Sequence, residues 1–217
     1  MVVTLLTLSV HAQVGEQRYN LALGVNGGVN MSSVTFSPKV KHKNLNGMNA
    51  GITARYISER WFGIMCGIQA ELNYSQRGWD EYYSDYPQLK YTRTLNYLEL
   101  PLLAHLGFGK ENKVQFFFHG GPQFGYFLSD SRSVDGDWEN YYYHTAQHDM
   151  DVKHKLDYGI AVGGGFEIPT RIGHFLIEGR YYLGLGDVFG NEKKDYFSRS
   201  ANSGITVKLT YLFDLTH

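Results

Sequence analysis

Ile68-Gln-Ala-Glu-Leu-Asn-Tyr-Ser-Gln-Arg77 is the stretch from which the fold can be read. Ile68, Ala70, Leu72 and Tyr74 fall on one side of it; Gln69, Glu71, Asn73, Ser75 and Arg77 fall on the other. Successive side chains of a strand point to opposite faces, so this is a strand with one greasy face and one polar, charged face. Phe62, Ile64 and Cys66 carry the apolar series back towards the N-terminus.

The pattern recurs seven times. Leu21, Leu23, Val25, Val29 and Met31 show it, as do Met48, Ala50, Ile52, Ala54 and Tyr56. Leu98 to Leu106, Val114 to Leu128 and Tyr158 to Ile168 follow in the same phase, then Phe175 to Leu185 and Ile205 to Phe213. Strict alternation over such lengths argues against helix. The strands are placed at 20–31, 47–58, 62–77, 92–106, 114–128, 156–168, 174–186 and 203–213. Each is as long as the roughly 9–11 residues a tilted strand needs to cross a bilayer.

The connections alternate in length. They are long at 32–46, 78–91, 129–155 and 187–202, and short at 59–61, 107–113 and 169–173. Long loops on one rim and short turns on the other are the outer-membrane arrangement. Closure leaves every strand with two neighbours and no polar edge in lipid. The fold class expected is all-β: an eight-stranded antiparallel up-and-down transmembrane β-barrel. Pro101 and Pro122 fall inside expected strands, which places a bulge near them.

Composition agrees. The 217 residues include 17 Tyr, 13 Phe and 25 Gly but 5 Pro, which suits many closely packed strands. A formal net charge of −1 gives no basic face for nucleic acid. A single cysteine, Cys66, excludes an intramolecular disulfide framework, and its place in the apolar series gives it a packing or lipid-facing role. No run approaches the ~18 apolar residues of a transmembrane helix. Mean hydropathy is below zero, which a membrane barrel tolerates because its alternating faces average out. Val2 to Val10 is a short apolar run followed by Val10-His11-Ala12, so residues 1–12 read as the tail of a secretory signal with the mature domain spanning 13–217. No Lys or Arg precedes the run, which places the start codon upstream.

Six segments resemble the PorT-like outer-membrane β-barrel family of Bacteroidetes. They are Gly24-Val-Asn-Gly-Gly-Val-Asn30, Glu71-Leu-Asn-Tyr-Ser-Gln-Arg-Gly78, Leu95-Asn-Tyr-Leu-Glu-Leu-Pro-Leu-Leu103, Gly120-Gly-Pro122, Asp157-Tyr-Gly-Ile-Ala-Val-Gly-Gly-Gly-Phe-Glu167 and Glu178-Gly-Arg-Tyr-Tyr-Leu-Gly-Leu-Gly-Asp187. In order, they cover nearly the whole mature chain. The resemblance implies a barrel in the outer membrane and accommodates the prolines; it implies no single activity. The chain departs from the pattern at its end, where Phe213 is followed by Asp214-Leu-Thr-His217 rather than closing on the aromatic residue.

The polar face holds Arg55, Glu71, Arg77, Glu99, Glu167, Glu178, Arg180 and Lys208. Two readings compete: a catalytic carboxylate site, or ion pairs filling the lumen. No nucleophile and base are spaced as a hydrolase needs, and buried charges must pair, so lumen pairing is the reading adopted and no catalytic residue is assigned. The 129–155 connection carries His144, His148, Asp149, Asp151 and His154, but no helix is expected there to align them for a metal, so no metal and no cofactor are assigned. Trp138, Tyr141, Tyr142 and Tyr143 in the same connection suit contact with an extracellular polymer or protein, or alternatively the barrel mouth or lipid headgroups. Gly24 to Gly28 lacks the helix and Lys-Ser/Thr of a phosphate loop.

The function expected is a structural or surface-interaction barrel with a closed polar lumen, meeting outer-membrane lipid on its wall and a partner through its long loops. The alternatives are an outer-membrane enzyme acting on lipid or peptide at the rim, and a soluble exported lipocalin-like barrel. The last would need its greasy face inside.

Overall fold

A computed structural model describes residues 16–83, 89–110, 113–136, 146–190 and 195–216. The leader read over 1–12 lies outside them. Eight strands follow one another: β1 Glu16–Ser37, β2 His42–Trp61, β3 Ile64–Tyr82, β4 Lys90–Phe108, β5 Gln115–Asp135, β6 Leu156–Thr170, β7 Gly173–Asp187 and β8 Arg199–Asp214. One short helix, α1 Ala146–Asp149, lies between β5 and β6. Every strand pairs antiparallel with its sequence neighbours, and β1 pairs with β8 to close the ring.

The faces are those the alternation requires. Val25, Ile52, Ile68, Val162, Ile177 and Leu209 point outward and are about half exposed or more. A greasy surface of this kind is stable only against lipid. The lipocalin-like alternative is overturned here, because most large apolar side chains of the barrel wall face out and the inward face is largely polar and charged. Inward positions carry Asn26, Thr53, Glu71, Asn73, Glu99 and Thr210, all buried. At the tight turn from β2 to β3, Phe62 and Gly63 have φ of 47° and 91°. A two-residue hairpin turn that follows the strand twist needs positive φ at both positions, which glycine supplies without strain.

Two expectations are corrected. The strands run further than the sequence pattern suggested, mostly on the long-loop side, with one to four residues added at the short-turn ends of β1, β2, β4, β6, β7 and β8. The expected long connection 32–46 is mostly strand, since β1 reaches Ser37 and β2 starts at His42. Likewise β5 continues to Asp135, and α1 occupies part of what was read as a connection without helix. The reason is a change of phase. Beyond the lipid belt the inward positions become apolar (Val34, Phe36, Trp79, Leu95), while the outward ones become Ser33, Thr35, Ser37, Thr92 and Thr94. A search for greasy-out alternation stops where the strand leaves lipid.

The expected bulge at the prolines is also absent. The β4–β5 register is unchanged from Leu100↔Phe124 and Pro101↔Gln123 to Ala104↔Gly120; the ladder is only interrupted between them. A missing proline N–H removes a bond without adding a residue, so nothing obliges the register to slip. The irregularity falls instead at Asn96/Tyr97, nearer the long-loop rim.

Candidate functional site

The lumen is built in tiers. Nearest the short-turn rim, Arg55 on β2 grips Glu167 on β6 with both terminal nitrogens, at 2.6 and 2.9 Å. His174 Nδ1 lies 2.7 Å from the same carboxylate, and its Nε2 lies 2.9 Å from Asp214.

The middle tier centres on Glu71 and Glu178. Arg180 on β7 donates to both oxygens of Glu71 on β3 at 3.0 and 2.9 Å, and its Nε donates to Glu178 at 2.8 Å. Lys208 on β8 sits 2.6 Å from Glu71 and 3.7 Å from Glu178. Gln69 and Asn73 donate to Glu71, so its acceptors are saturated. A histidine pair joins on: His105 Nδ1 is 2.8 Å from His119 Nε2, and His119 Nδ1 is 3.0 Å from Glu178. Above it, Arg77 meets Glu99 at 2.6 Å and Asp157 at 3.5 Å, with its guanidinium 4.0 Å over the Tyr182 ring.

All eight charged residues singled out from the alternation are therefore buried and in ion pairs with one another. The geometry joins strands across the ring. β2 to β6, and β3 to β7, are the widest separations an eight-membered ring allows, so Arg55–Glu167 and Arg180–Glu71 act as struts through the lumen. Charged groups so enclosed are stable only when paired and fully hydrogen-bonded.

A second assembly closes the long-loop end. Val34, Phe36, Trp79, Leu95, Tyr97, Val188, Phe189 and Phe197 form a buried apolar cluster, with Met150 and Val152 packed against it. Phe36 contacts the Trp79 and Phe197 rings at 5.1 and 4.9 Å between centroids. Backbone bonds from Lys153 and His154 to Val188 O hold the two covering segments together. Arg93, fully buried, donates to Met150 O at 2.7 Å, pairs with Asp130 at 2.7 Å and lies over the Phe189 ring. Arg132 donates to His148 O, fastening α1 as well.

Beside this cap, Glu81 accepts from Trp79 Nε1 and Tyr83 Oη, each at 2.8 Å, and meets His148 Nε2 at 3.0 Å. The His148 ring stacks on Tyr91 at 4.0 Å. Burial alone would raise the Glu81 carboxyl, but the bonds from His148, Trp79 and Tyr83 outweigh it and hold the group below its ordinary range. His148, weighed as a metal ligand, is thus committed to Glu81; among the described residues no group of three or more ligating side chains could hold a metal. Trp138, Tyr141, Tyr142, Tyr143 and His144 lie outside the described residues. The cap was missed from sequence, and the signal for it was the inverted alternation at Val34, Phe36 and at Trp79, Glu81.

Comparisons with known proteins agree with this architecture. The sequence profile of the family described as outer membrane protein beta-barrel domain matches residues 11–190. Among solved structures, the outer membrane protein OprG from Pseudomonas aeruginosa superimposes with a TM-score of 0.51 at 12% identity, over 92% of this chain and 95% of that one. Neisserial surface protein A gives 0.43 at 12% identity, over 88% and 96%. Ail of Yersinia pestis, solved in complex with the heparin analogue sucrose octasulfate, gives 0.39 at 13% identity, over 90% and 100%. At these identities the likeness concerns fold alone, and OprG carries that point. No curated protein sequence matches the chain.

Proposed function

Because the chain belongs to the outer membrane protein beta-barrel domain family and resides in the outer membrane, we propose that it is a non-conducting surface-interaction barrel of the PorT-like type, which meets an extracellular polymer or protein through its long loops. The observation that carries this reading is the doubly closed lumen: cross-barrel struts inside the membrane and a packed aromatic cap above it. Eight strands enclose a bore only about wide enough for side chains, and here side chains fill it. Strands prolonged beyond lipid, and braced from inside by the cap, form a firm pedestal for the loops. Trp138, Tyr141, Tyr142 and Tyr143 are the contact residues in this proposal. No catalytic step belongs to it, and residues 1–12 are read as a removed leader.

The test is binding by intact cells that express the protein, probed on arrayed polysaccharides and matrix proteins. Replacing those four aromatics with serine should abolish binding while the purified barrel keeps its heat-modifiable gel migration. Stable conductance steps from the pure monomer in a planar bilayer would instead move the function to transport. N-terminal sequencing of membrane-extracted protein tests the leader; a mature chain starting at Gln13 is expected.

A further inference from the structure

The outer wall above the lipid belt carries charges that neither the struts nor the cap uses. On β1 the outward positions run Met31, Ser33, Thr35 and Ser37. On β8, Arg199 stands opposite Ser37 in register and Ile205 opposite Met31. Met31 and Ile205 are the last large apolar side chains facing outward on these two strands. Beyond Ser37, the β1–β2 connection and the start of β2 present Lys39, Lys41 and Lys43, which are exposed, as is Arg199. β8, β1 and β2 are consecutive in the ring, so the strands bearing these four cations span only about 10 Å.

The lysine row is held in place from inside. Val40 packs against the aromatic cap, and the His42 ring meets Phe36 edge-on at 5.6 Å. Lys43 Nζ lies 5.0 Å from the centre of the Tyr82 ring. Asp80 is opposite Lys43 in register but makes no bridge to it, and none of the four cations has an ion-pair partner among the described residues. By contrast, Arg132 is tied to Asp130 and Asp151, and Lys153 to Asp195. Like charges held together and left unmatched call for an anion.

Height selects the anion. From Met31 to Ser37 the strand climbs about 20 Å, or about 15 Å above the last lipid-facing side chain at a barrel strand's tilt of roughly 35–45°. Lipid headgroups extend only about 5–8 Å beyond the hydrocarbon on each side. An ordinary phospholipid phosphate therefore stops short of the row. The negative group must be carried further out, as on a saccharide. Ser33, Thr35 and Ser37 line the wall in between with small hydroxyls, which donate to and accept from sugar hydroxyls.

We propose that the β8–β1–β2 sector of the wall binds the phosphorylated saccharide of a glycolipid in the surrounding outer leaflet. The acyl chains lie on the belt beside Met31 and Ile205, the sugars follow Ser33, Thr35 and Ser37, and the phosphates meet Lys39, Lys41, Lys43 and Arg199. A neighbouring lipid is the occupant because the hydroxyl ledge is continuous with the lipid belt and faces sideways rather than over the mouth. The site rests on the outer-membrane location and is independent of the loop aromatics.

The experiment uses the full chain in detergent micelles, with short-chain phosphorylated lipopolysaccharide as probe. The same glycolipid after dephosphorylation, its released core saccharide and phosphatidylglycerol are the comparison arms. The phosphorylated glycolipid should bind saturably, less well as salt is added, and every comparison arm several-fold more weakly. Lys41→Gln/Lys43→Gln should weaken binding several-fold. Lys110→Gln/Lys113→Gln, the same charge change at the exposed short-turn end, should leave it unaltered. Heat-modifiable gel migration shows that both variants fold. Equal binding by the two double variants would overturn the proposal. So would equal binding of the dephosphorylated glycolipid or of phosphatidylglycerol, or no saturable binding of the probe. Equal binding of the released saccharide would overturn it in favour of a soluble polymer.

Discussion

Arg180 and Glu71 join β7 to β3 through the centre of the barrel, with both carboxylate oxygens 2.9–3.0 Å from the terminal guanidinium nitrogens. The pair is out of reach of water, so its members depend on each other. Removing one partner of a buried pair costs about 3–5 kcal/mol, chiefly because the other charge is left behind. Arg180→Met should therefore destabilise the barrel by about that amount, read as a lower midpoint for heat-induced loss of the fast-migrating gel form. The double variant Arg180→Met/Glu71→Gln should recover a substantial part. A double variant no better than Arg180→Met alone would show that Arg180 acts by filling space rather than by compensating charge.

The outward face is tested at Ile177, which is half exposed on β7 and pairs with Phe166 of β6 and Leu209 of β8. Arginine near the bilayer midplane costs about 2–4 kcal/mol on a barrel's lipid face. Ile177→Arg should depress folding yield into lipid vesicles well below that of Ser131→Arg, whose position on the β5 extension is exposed beyond the belt. Equal yields would place Ile177 away from lipid.

Glycines on the two faces should answer differently to the same methyl group. At Gly165 an added Cβ falls on the carbonyl oxygen of Ile177 in the neighbouring strand, whereas at Gly27 it meets nothing within 4 Å. Gly165→Ala should force β6 and β7 apart and lower thermal stability. Gly27→Ala should leave stability unchanged or slightly raised, because alanine loses less backbone entropy on folding. Matching melting curves for the two variants would contradict the inward packing of β6 against β7.

The barrel was legible because lipid imposes a simple rule on every outward position. Ile68, Leu72 and Ile177 had to be greasy, and their neighbours Glu71 and Glu178 had to look inward. Pairing partners were not legible. Nothing in the spacing says that Arg55 meets Glu167 rather than Glu71, since that depends on the stagger of strands far apart in sequence. The cap was illegible for a different reason: Phe36 and Trp79 follow the same two-residue period but with polarity reversed, because outside the membrane water replaces lipid on the outer face. The role of His148 was not legible either, because its partner Glu81 is supplied by β3, 67 residues away in the chain.

Acid should loosen the cap. The Glu81 carboxyl is held below its ordinary range by His148, Trp79 and Tyr83 despite its burial. A carboxylate with a depressed folded value contributes stability that is present above its unfolded value, near 4.3, and is lost as pH falls through the folded one. Protease cleavage within 146–155 should therefore rise as pH drops below about 4, using an acid-active protease. Glu81→Gln should remove that step and give cleavage that no longer depends on this group. An unchanged profile in Glu81→Gln would assign the acid response elsewhere.

Closure of the lumen has two layers, and conductance can separate them. The cap is apolar, so opening it exposes rings but leaves the struts in place; Phe36→Ser/Phe189→Ser should keep the purified monomer silent in a planar bilayer. The struts alone are also insufficient to open it, because the cap still seals the outer mouth: Arg55→Ser/Glu167→Ser with Arg180→Ser/Glu71→Ser should be silent as well. Combining both sets removes the side chains that occupy the bore and those that cover it. Small, flickering currents are then expected, since an eight-stranded ring leaves a narrow channel even when emptied. Large steady steps from the unmodified monomer would mean that cap and struts part in the membrane, and that the bore itself is the functional surface. Silence in the combined variant, with folding shown by gel migration, would mean that the remaining lumen side chains close the bore unaided, with Arg77, Glu99 and Lys208 the foremost among them.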